Sequence, residues 1–295
     1  MSEAVPTPAK FGDYLELTKP RLSLLSVLTA LVGYLAARPP SQPLKLMFVV
    51  IGTSLAAGGV AALNQWMEHE TDAQMKRTAD RPIPAGKVAT GSAFVIGMLM
   101  CIAALFLLFA KVNPLAAMFT LFTIFSYLGW YTPAKKWSVW STEIGAIAGA
   151  FPPLIGWAAG EGKVSALGWI LFGILFFWQI PHFMAVAWTY RRDYSAVHFP
   201  MLPVRDESGR RVAIWSLINT VVLVAVSSLP TVLGLATRAY GFAALVFGGW
   251  FLGLAIGFLR AESRDLAARR LFLGSIIYLP IVLGALVADR LLFHP

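Results

Sequence analysis

Apolar residues gather into long runs along this chain, separated by short polar or Pro/Gly-rich breaks. Nine runs, at 22–37, 44–66, 91–110, 114–131, 141–159, 165–188, 212–235, 240–259 and 271–289, are candidate bilayer crossings. A crossing helix needs roughly 17–25 predominantly apolar residues. The shorter runs imply tilt, local thinning, or ends that run into polar cavities. Open strands would leave backbone groups unpaired in lipid, and the alternating pattern of a barrel is absent, so the runs are expected to be helices. The expected fold is therefore an all-α polytopic membrane protein. About nine transmembrane helices would form one bundle with a cytoplasm-facing cavity, and residues 1–295 would be a single domain.

Composition supports this pattern and narrows the class. Hydrophobic residues make up 58% of the 295 and charged residues 13%, against about 25% charged in soluble domains. The mean hydropathy is +0.69. These values exclude a disordered chain, a disulfide scaffold and an ordinary soluble enzyme. The single cysteine, Cys101, has no internal partner for a disulfide. The first twenty residues carry Glu3, Asp13 and Glu16 and are not expected to act as a signal peptide.

The net charge of +9 is explained by topology rather than by a nucleic-acid partner. Of 24 Lys and Arg, only Arg38, Lys45, Lys111, Lys163, Arg238 and Arg290 fall outside the N-terminal tail and the even-numbered loops. The positive-inside rule then predicts a multi-pass protein of the cytoplasmic (inner) membrane, with its N-terminus in the cytoplasm and its C-terminus outside. On the basic side, the loops after the second and sixth runs are each more than about 20 residues long, whereas the outer loops are short. Long polar loops on one face of a compact bundle commonly carry function.

Three stretches on that face carry candidate chemistry. In the first, Asn64, Glu68 and Asp72 recur at i, i+4 and i+8, which places them on one helix face. Their oxygens suit Mg²⁺, which takes one or two carboxylates and completes its shell with water and substrate phosphate. Arg77 and Arg81 follow, and arginine binds phosphate oxygens bidentately. The same spacing also suits an amphipathic helix with solvated charges. In the second stretch, His182 lies inside an apolar run after Pro181, followed by Trp188, Tyr190, Arg191 and Asp193. His182 has three readings: an iron ligand, a carboxylate partner, or a buried polar group already hydrogen-bonded. Asp193 either completes a second cation position or pairs with an arginine. The third stretch holds Tyr131, Lys135 and Lys136, with Glu143 just beyond. The two lysines suit a diphosphate or carboxylate and equally suit plain topology markers. Gly145/Gly149, Gly156/Gly160 and Gly249/Gly253/Gly257 are small-residue ridges expected at helix contacts.

The acids and bases of these loops suggest a polyanion held through Mg²⁺ above an apolar lumen. Aromatics near the mouth, Tyr131, Trp178, Trp188 and Tyr190, would stabilise a developing cation. This combination fits ionisation of an allylic diphosphate in a dry cavity.

Over nearly its whole length the chain resembles the UbiA-type intramembrane prenyltransferases. The motifs are Asp13-Tyr14 with Leu17-Thr18-Lys19-Pro20-Arg21, Asn64 through Arg81-Pro82, Tyr131-Thr132-Pro133 with Lys135-Lys136, and Gly149 through Trp157. Pro181-His182-Phe183, Asp193-Tyr194 and Met201-Leu202-Pro203 point to the heme-farnesylating branch. That branch transfers a farnesyl group from farnesyl diphosphate to the 2-vinyl group of heme B, adds water, and yields heme O and diphosphate. The resemblance implies Mg²⁺, or alternatively Mn²⁺, bound by Glu68, Asp72 and Asp193, with Asn64 as a further catalytic residue. It implies Arg77, Arg81, Lys135, Lys136 and Arg191 on diphosphate or heme propionates, and His182 against heme. The next heme-modifying enzyme (heme A synthase) or a terminal-oxidase assembly is an implied partner. The chain departs from the wider family at Val197, where a second loop-six acid is common. It also departs at Arg192, Ser141 and Glu143. The alternatives are a UbiA-type enzyme acting on an aromatic quinone precursor and a non-catalytic membrane transporter or subunit.

Overall fold

A computed structural model of the chain describes residues 9–39 and 41–293; Glu3 and both chain ends, with the expectations resting on them, lie outside the described residues. A short helix α1 (Phe11–Leu17) precedes α2 (Pro20–Ala36), α3 (Pro43–Gln74), α4 (Thr90–Lys111), α5 (Pro114–Ala134), α6 (Ser141–Glu161) and α7 (Ala166–Thr189). Two short helices follow, α8 (Arg191–Ala196) and α9 (Leu202–Arg205). They lead into α10 (Arg210–Val232), α11 (Arg238–Phe258) and α12 (Arg264–Phe293). No strand occurs among the described residues.

Each of the nine apolar runs lies on a helix. Among the described residues, seven helices are long and apolar enough to cross a membrane. The 17-residue α2 is shorter, and α6 is more polar than those seven. Proline starts α2, α3 and α5, where its missing N–H costs nothing and its φ is already helical. Asn113 caps α5 by accepting from Ala116 N at 2.8 Å. Gly162, at φ 74°, ends α6 in a left-handed conformation.

Burial separates inner from outer helices. In α7, 61% of the spanning window is buried, against 28% in α4. Large apolar side chains left exposed, such as Phe106, Phe109 and Phe242, suit a lipid-facing surface. The α2–α6 contact is made by backbone. A Cβ on Gly156 would stand 1.7 Å from Ala30 O, and one on Gly33 would stand 1.9 Å from Pro153 O. The expected ridges Gly145/Gly149 and Gly156/Gly160 are indeed close contacts, against Tyr131, Gln179, Ala30 and Ala37. Gly249, Gly253 and Gly257 are a correction: a Cβ at any of them meets nothing within 4 Å. That stripe of α11 faces away from the bundle, and spacing alone does not reveal which face is turned inward.

Gly156→Leu is expected to destabilise the fold by more than about 1–3 kcal/mol, because backbone cannot yield to the added side chain. Gly253→Ala is expected to leave stability unchanged. Thermal unfolding of the two purified variants in detergent checks the contrast.

Candidate active site

The second loop of the sequence reading is largely helical. α3 continues past its apolar part to Gln74 and carries Asn64, Glu68 and Asp72 on one buried face. Opposite it, α5 is interrupted by a π-helical turn, Ser126–Tyr131. Pro133 lacks an N–H and crowds the carbonyl one turn earlier, and such turns mark where a helix absorbs that defect. The turn brings Thr132 and Lys135 to α3.

The resulting polar chain is continuous. Lys135 Nζ lies 2.9 and 3.0 Å from the two Glu68 carboxylate oxygens. Asn64 Nδ2 donates to Glu68 Oε2 at 3.0 Å and to Thr132 Oγ1 at 3.2 Å. Lys19 Nζ donates to Asn64 Oδ1 at 3.2 Å. Farther along α3, Arg81 Nη1 donates to Asp72 Oδ2 at 2.5 Å. Three segments distant in sequence, at Lys19, Asn64 to Asp72 and Thr132 to Lys135, thus meet on one face of the bundle, with Arg81 folding back onto the second.

Lys19, which the sequence offers as a basic residue of the N-terminal tail and part of the family motif without a role at the site, joins this cluster. It adopts φ 44°, a left-handed conformation costing roughly 1–2 kcal/mol for a side-chain-bearing residue. Burial, with Arg81 and Lys135 nearby, pulls its ammonium down to about 7 against the opposing pull of Glu68 and Asp72. Lys135 behaves oppositely. Burial works against its charge, but Tyr131 and the Glu68 carboxylate beside it more than offset this, holding it well above the ordinary lysine range.

Lys19 also stands at one end of an apolar cavity between α2, α3, α5 and α6, with Val60, Thr123, Tyr127 and Pro152 along its walls. Small residues, including Ala56, Ala57, Ala61, Ala148 and Gly149, keep this space open. Tyr127 is a second residue that spacing did not single out. Its ring packs edge-on against Tyr131 at 5.0 Å, and Lys135 Nζ lies 4.5 Å from the Tyr131 ring centre.

Other expected site residues stand elsewhere. Lys136 is exposed and turned away from Glu68, so the lysine pair is split. His182 Nδ1 lies 2.7 Å from Ser275 Oγ, and its ring stacks on Trp178 at 4.8 Å. Ser275 Oγ donates to Phe272 O, so His182 is the donor in that bond and ties α7 to α12. A hydrogen-bonded polar contact is therefore formed at Nδ1, away from the acid–base cluster. Trp178, expected at the mouth, is buried and donates to Ser275 O at 2.8 Å. Trp188 is likewise buried and donates to Asp265 Oδ1 at 2.7 Å. Arg191 covers the Trp188 ring at 4.1 Å and reaches Asp265 at 3.3 Å. Arg77 lies over Tyr190 and Tyr194 and donates to the Tyr194 hydroxyl at 3.1 Å. Glu143 accepts from Trp215 Nε1 at 2.5 Å.

The residues present suit a hard cation held jointly with a phosphate ligand. Asp72 Oδ1 is buried without a hydrogen-bond partner. Asp193 is half-buried, and among the described residues no side-chain hydrogen bond or ion pair engages its carboxylate. Glu68 is already neutralised by Lys135. Among the described residues no three His, Cys, Asp or Glu groups converge as a ready ligand set, so Glu68, Asp72 and Asp193 are not assembled around one point. Mg²⁺ needs only one or two carboxylates when substrate phosphates supply the rest.

Comparison with known proteins agrees with this chemistry. Residues 26–276 match the model of the UbiA prenyltransferase family. A protoheme IX farnesyltransferase of Opitutus terrae is 75% identical over 291 residues, covering 99% of both chains. One from Solibacter usitatus is 42% identical over 290 residues, covering 94% of this chain and 98% of its own. Among solved structures, a digeranylgeranylglyceryl phosphate synthase has a TM-score of 0.80 at 20% identity, covering 95% of this chain and 98% of its own. A UbiA homolog from Archaeoglobus fulgidus bound to DMAPP and Mg²⁺ has a TM-score of 0.67 at 12% identity, covering 93% and 99%.

A polyanion entering beside Lys19 restores its affinity for a proton. Above pH 7, binding of magnesium diphosphate is therefore expected to take up as much as about one proton, and affinity to fall as pH rises. Calorimetry in buffers of different ionisation enthalpy measures the uptake. Lys19→Gln is expected to lose that part of it.

Proposed function

We propose that this chain, which belongs to the UbiA prenyltransferase family, transfers a farnesyl group from farnesyl diphosphate to the 2-vinyl group of heme B, giving heme O and diphosphate. The observation that carries this reading is the 75% identity over essentially the whole chain to a protoheme IX farnesyltransferase. A polar cluster at the end of an apolar cavity supplies its physical basis.

Lys19, Lys135 and Arg81 hold the diphosphate, and the farnesyl chain lies in the cavity between α2, α3, α5 and α6. Moving an isoprenoid tail from bilayer to apolar cavity gains little, so head-group contacts carry most of the affinity. Asn64, Glu68, Asp72 and Asp193 face the metal–diphosphate, with Asp72 Oδ1 and Asp193 as the open oxygens. A bound Mg²⁺, or Mn²⁺ with the same preference for oxygen, would supply positive charge to offset the negative charge gathering on the leaving diphosphate. The C1–O bond breaks with its electron pair passing to the diphosphate. Lys19 and Lys135, fixed beforehand by Asn64 and Glu68, stabilise that charge without reorganising. The faces of Tyr127 and Tyr131 flank the developing allylic cation. The apolar wall keeps water from it until the heme vinyl carbon bonds to C1. Water then adds to the resulting cation and loses a proton.

The excess of Lys and Arg in the N-terminal tail and even-numbered loops supports nine crossings of the cytoplasmic membrane, with the cluster opening to the cytoplasm and the C-terminus outside. A downstream heme A synthase or oxidase assembly is a fitting recipient of an apolar product that does not leave the bilayer.

Asp72→Ala is expected to lower heme O formation by about 10² or more, because it removes an oxygen ligand; since Asp72 is also buried against Arg81, thermal unfolding of the variant is measured alongside to separate the two effects. Reconstitution with heme B and labelled farnesyl diphosphate measures this. Label transfer to hydroxybenzoate, and none to heme, would refute the acceptor; normal heme O output from Asp72→Ala would refute the metal role.

A further inference from the structure

Arg77 lies five residues after Asp72, in the segment where a diphosphate-binding arginine is expected, yet its guanidinium is engaged elsewhere. It stands 5.2 Å from the Tyr190 ring centre and 5.6 Å from that of Tyr194, and Nη2 donates to the Tyr194 hydroxyl at 3.1 Å. Tyr190 is the N-cap of α8 and Tyr194 lies within it, with Asp193 between the two.

α8 is six residues long and buries none of them. A helix this short does not hold itself together in isolation, so its place is set by side-chain ties. At its start Arg191 donates to Trp188 O at 2.7 Å and reaches Asp265, which anchors α8 towards α12. Tyr194 stacks on Phe199 at 6.3 Å, a contact within the same loop. Among the described residues, the Arg77 side chain is the hydrogen-bonded tie between α8 and the segment bearing Asp72. Asp193 itself makes no pairing that would locate it.

The geometry points to Arg77 as a positioning residue: wedged between Tyr190 and Tyr194, it fixes α8 and thereby the distance between Asp193 and Asp72, and it does not itself grip the diphosphate. The inference rests on the proposed function in one respect, that Asp193 faces the metal–diphosphate. The diphosphate already has Lys19, Lys135 and Arg81. A cation spread flat against two rings locks the orientation of a short helix better than a single hydrogen bond, because stacking and donor geometry act together.

A double-mutant cycle on the full-length protein in nanodiscs tests this, reading the affinity for inorganic diphosphate in the presence of Mg²⁺. Partners that orient a metal ligand typically matter by about tenfold or more. Arg77→Ala is thus expected to weaken binding about tenfold in the wild-type background and less than about twofold in the Asp193→Asn background. The Tyr190→Leu/Tyr194→Leu pair, which frees Arg77 without removing it, is expected to reproduce the Arg77→Ala loss. Equal losses from Arg77→Ala in both backgrounds, or tighter binding when the tyrosines are removed, would make Arg77 a direct ligand and overturn this inference alone. Wild-type affinity in Asp193→Asn would overturn the placement of Asp193, and this inference with it.

Discussion

The site depends on one buried ion pair, Lys135 with Glu68. Each charge would be costly alone beside an apolar cavity, and removing one partner of such a pair typically costs about 3–5 kcal/mol. Together they fix the end of α5 against the middle of α3. Asn64 takes its place on the second oxygen of Glu68 and passes the constraint to Lys19 and Thr132. Thr132, which also donates to Tyr127 O across the π-helical turn at 3.0 Å, and Lys19 both meet the Asn64 side chain that Glu68 orients.

This arrangement separates two tasks. The upper part is charged, preorganised and rich in donors, so developing negative charge meets dipoles already in place. The lower part is lined mainly by apolar side chains from four helices, with Lys19, the Tyr127 phenol and Ser and Thr hydroxyls as its polar groups. The close α2–α6 backbone contact through Gly33 and Gly156 gives that wall its rigidity. The pair Arg81–Asp72 differs from Lys135–Glu68 in leaving one carboxylate oxygen open, and that difference assigns the two acids different work.

In the second half of the chain, polar side chains tie the helices to one another. His182, Trp178 and Ser275 bind α7 to α12, and Trp188, Arg191 and Asp265 bind the end of α7 to the start of α12. Several residues whose type suggested contact with substrate are held in these ties. An aromatic or histidine inside a spanning helix must place its polar atom somewhere, and a neighbouring helix is as good a partner as a ligand.

The sequence by itself determined the helical class, the segments that form helices, the face on which charge collects and the i, i+4, i+8 row Asn64, Glu68 and Asp72. All of these follow from hydropathy and the 3.6-residue period, which are local. It also carried the motifs that identify the family. Only the tertiary structure decided which cation meets which acid, that Lys19 is part of the cluster, that Lys136 is not, and that Arg77 and Arg191 are engaged away from Asp72 and Glu68. Those outcomes depend on the rotation of each helix about its own axis and on contacts between residues 45 to 117 positions apart. Periodicity marks a face but does not say what that face meets. For the same reason Gly249, Gly253 and Gly257 read like Gly145 and Gly149 in the sequence, yet one stripe faces outward and the other forms the wall of the site.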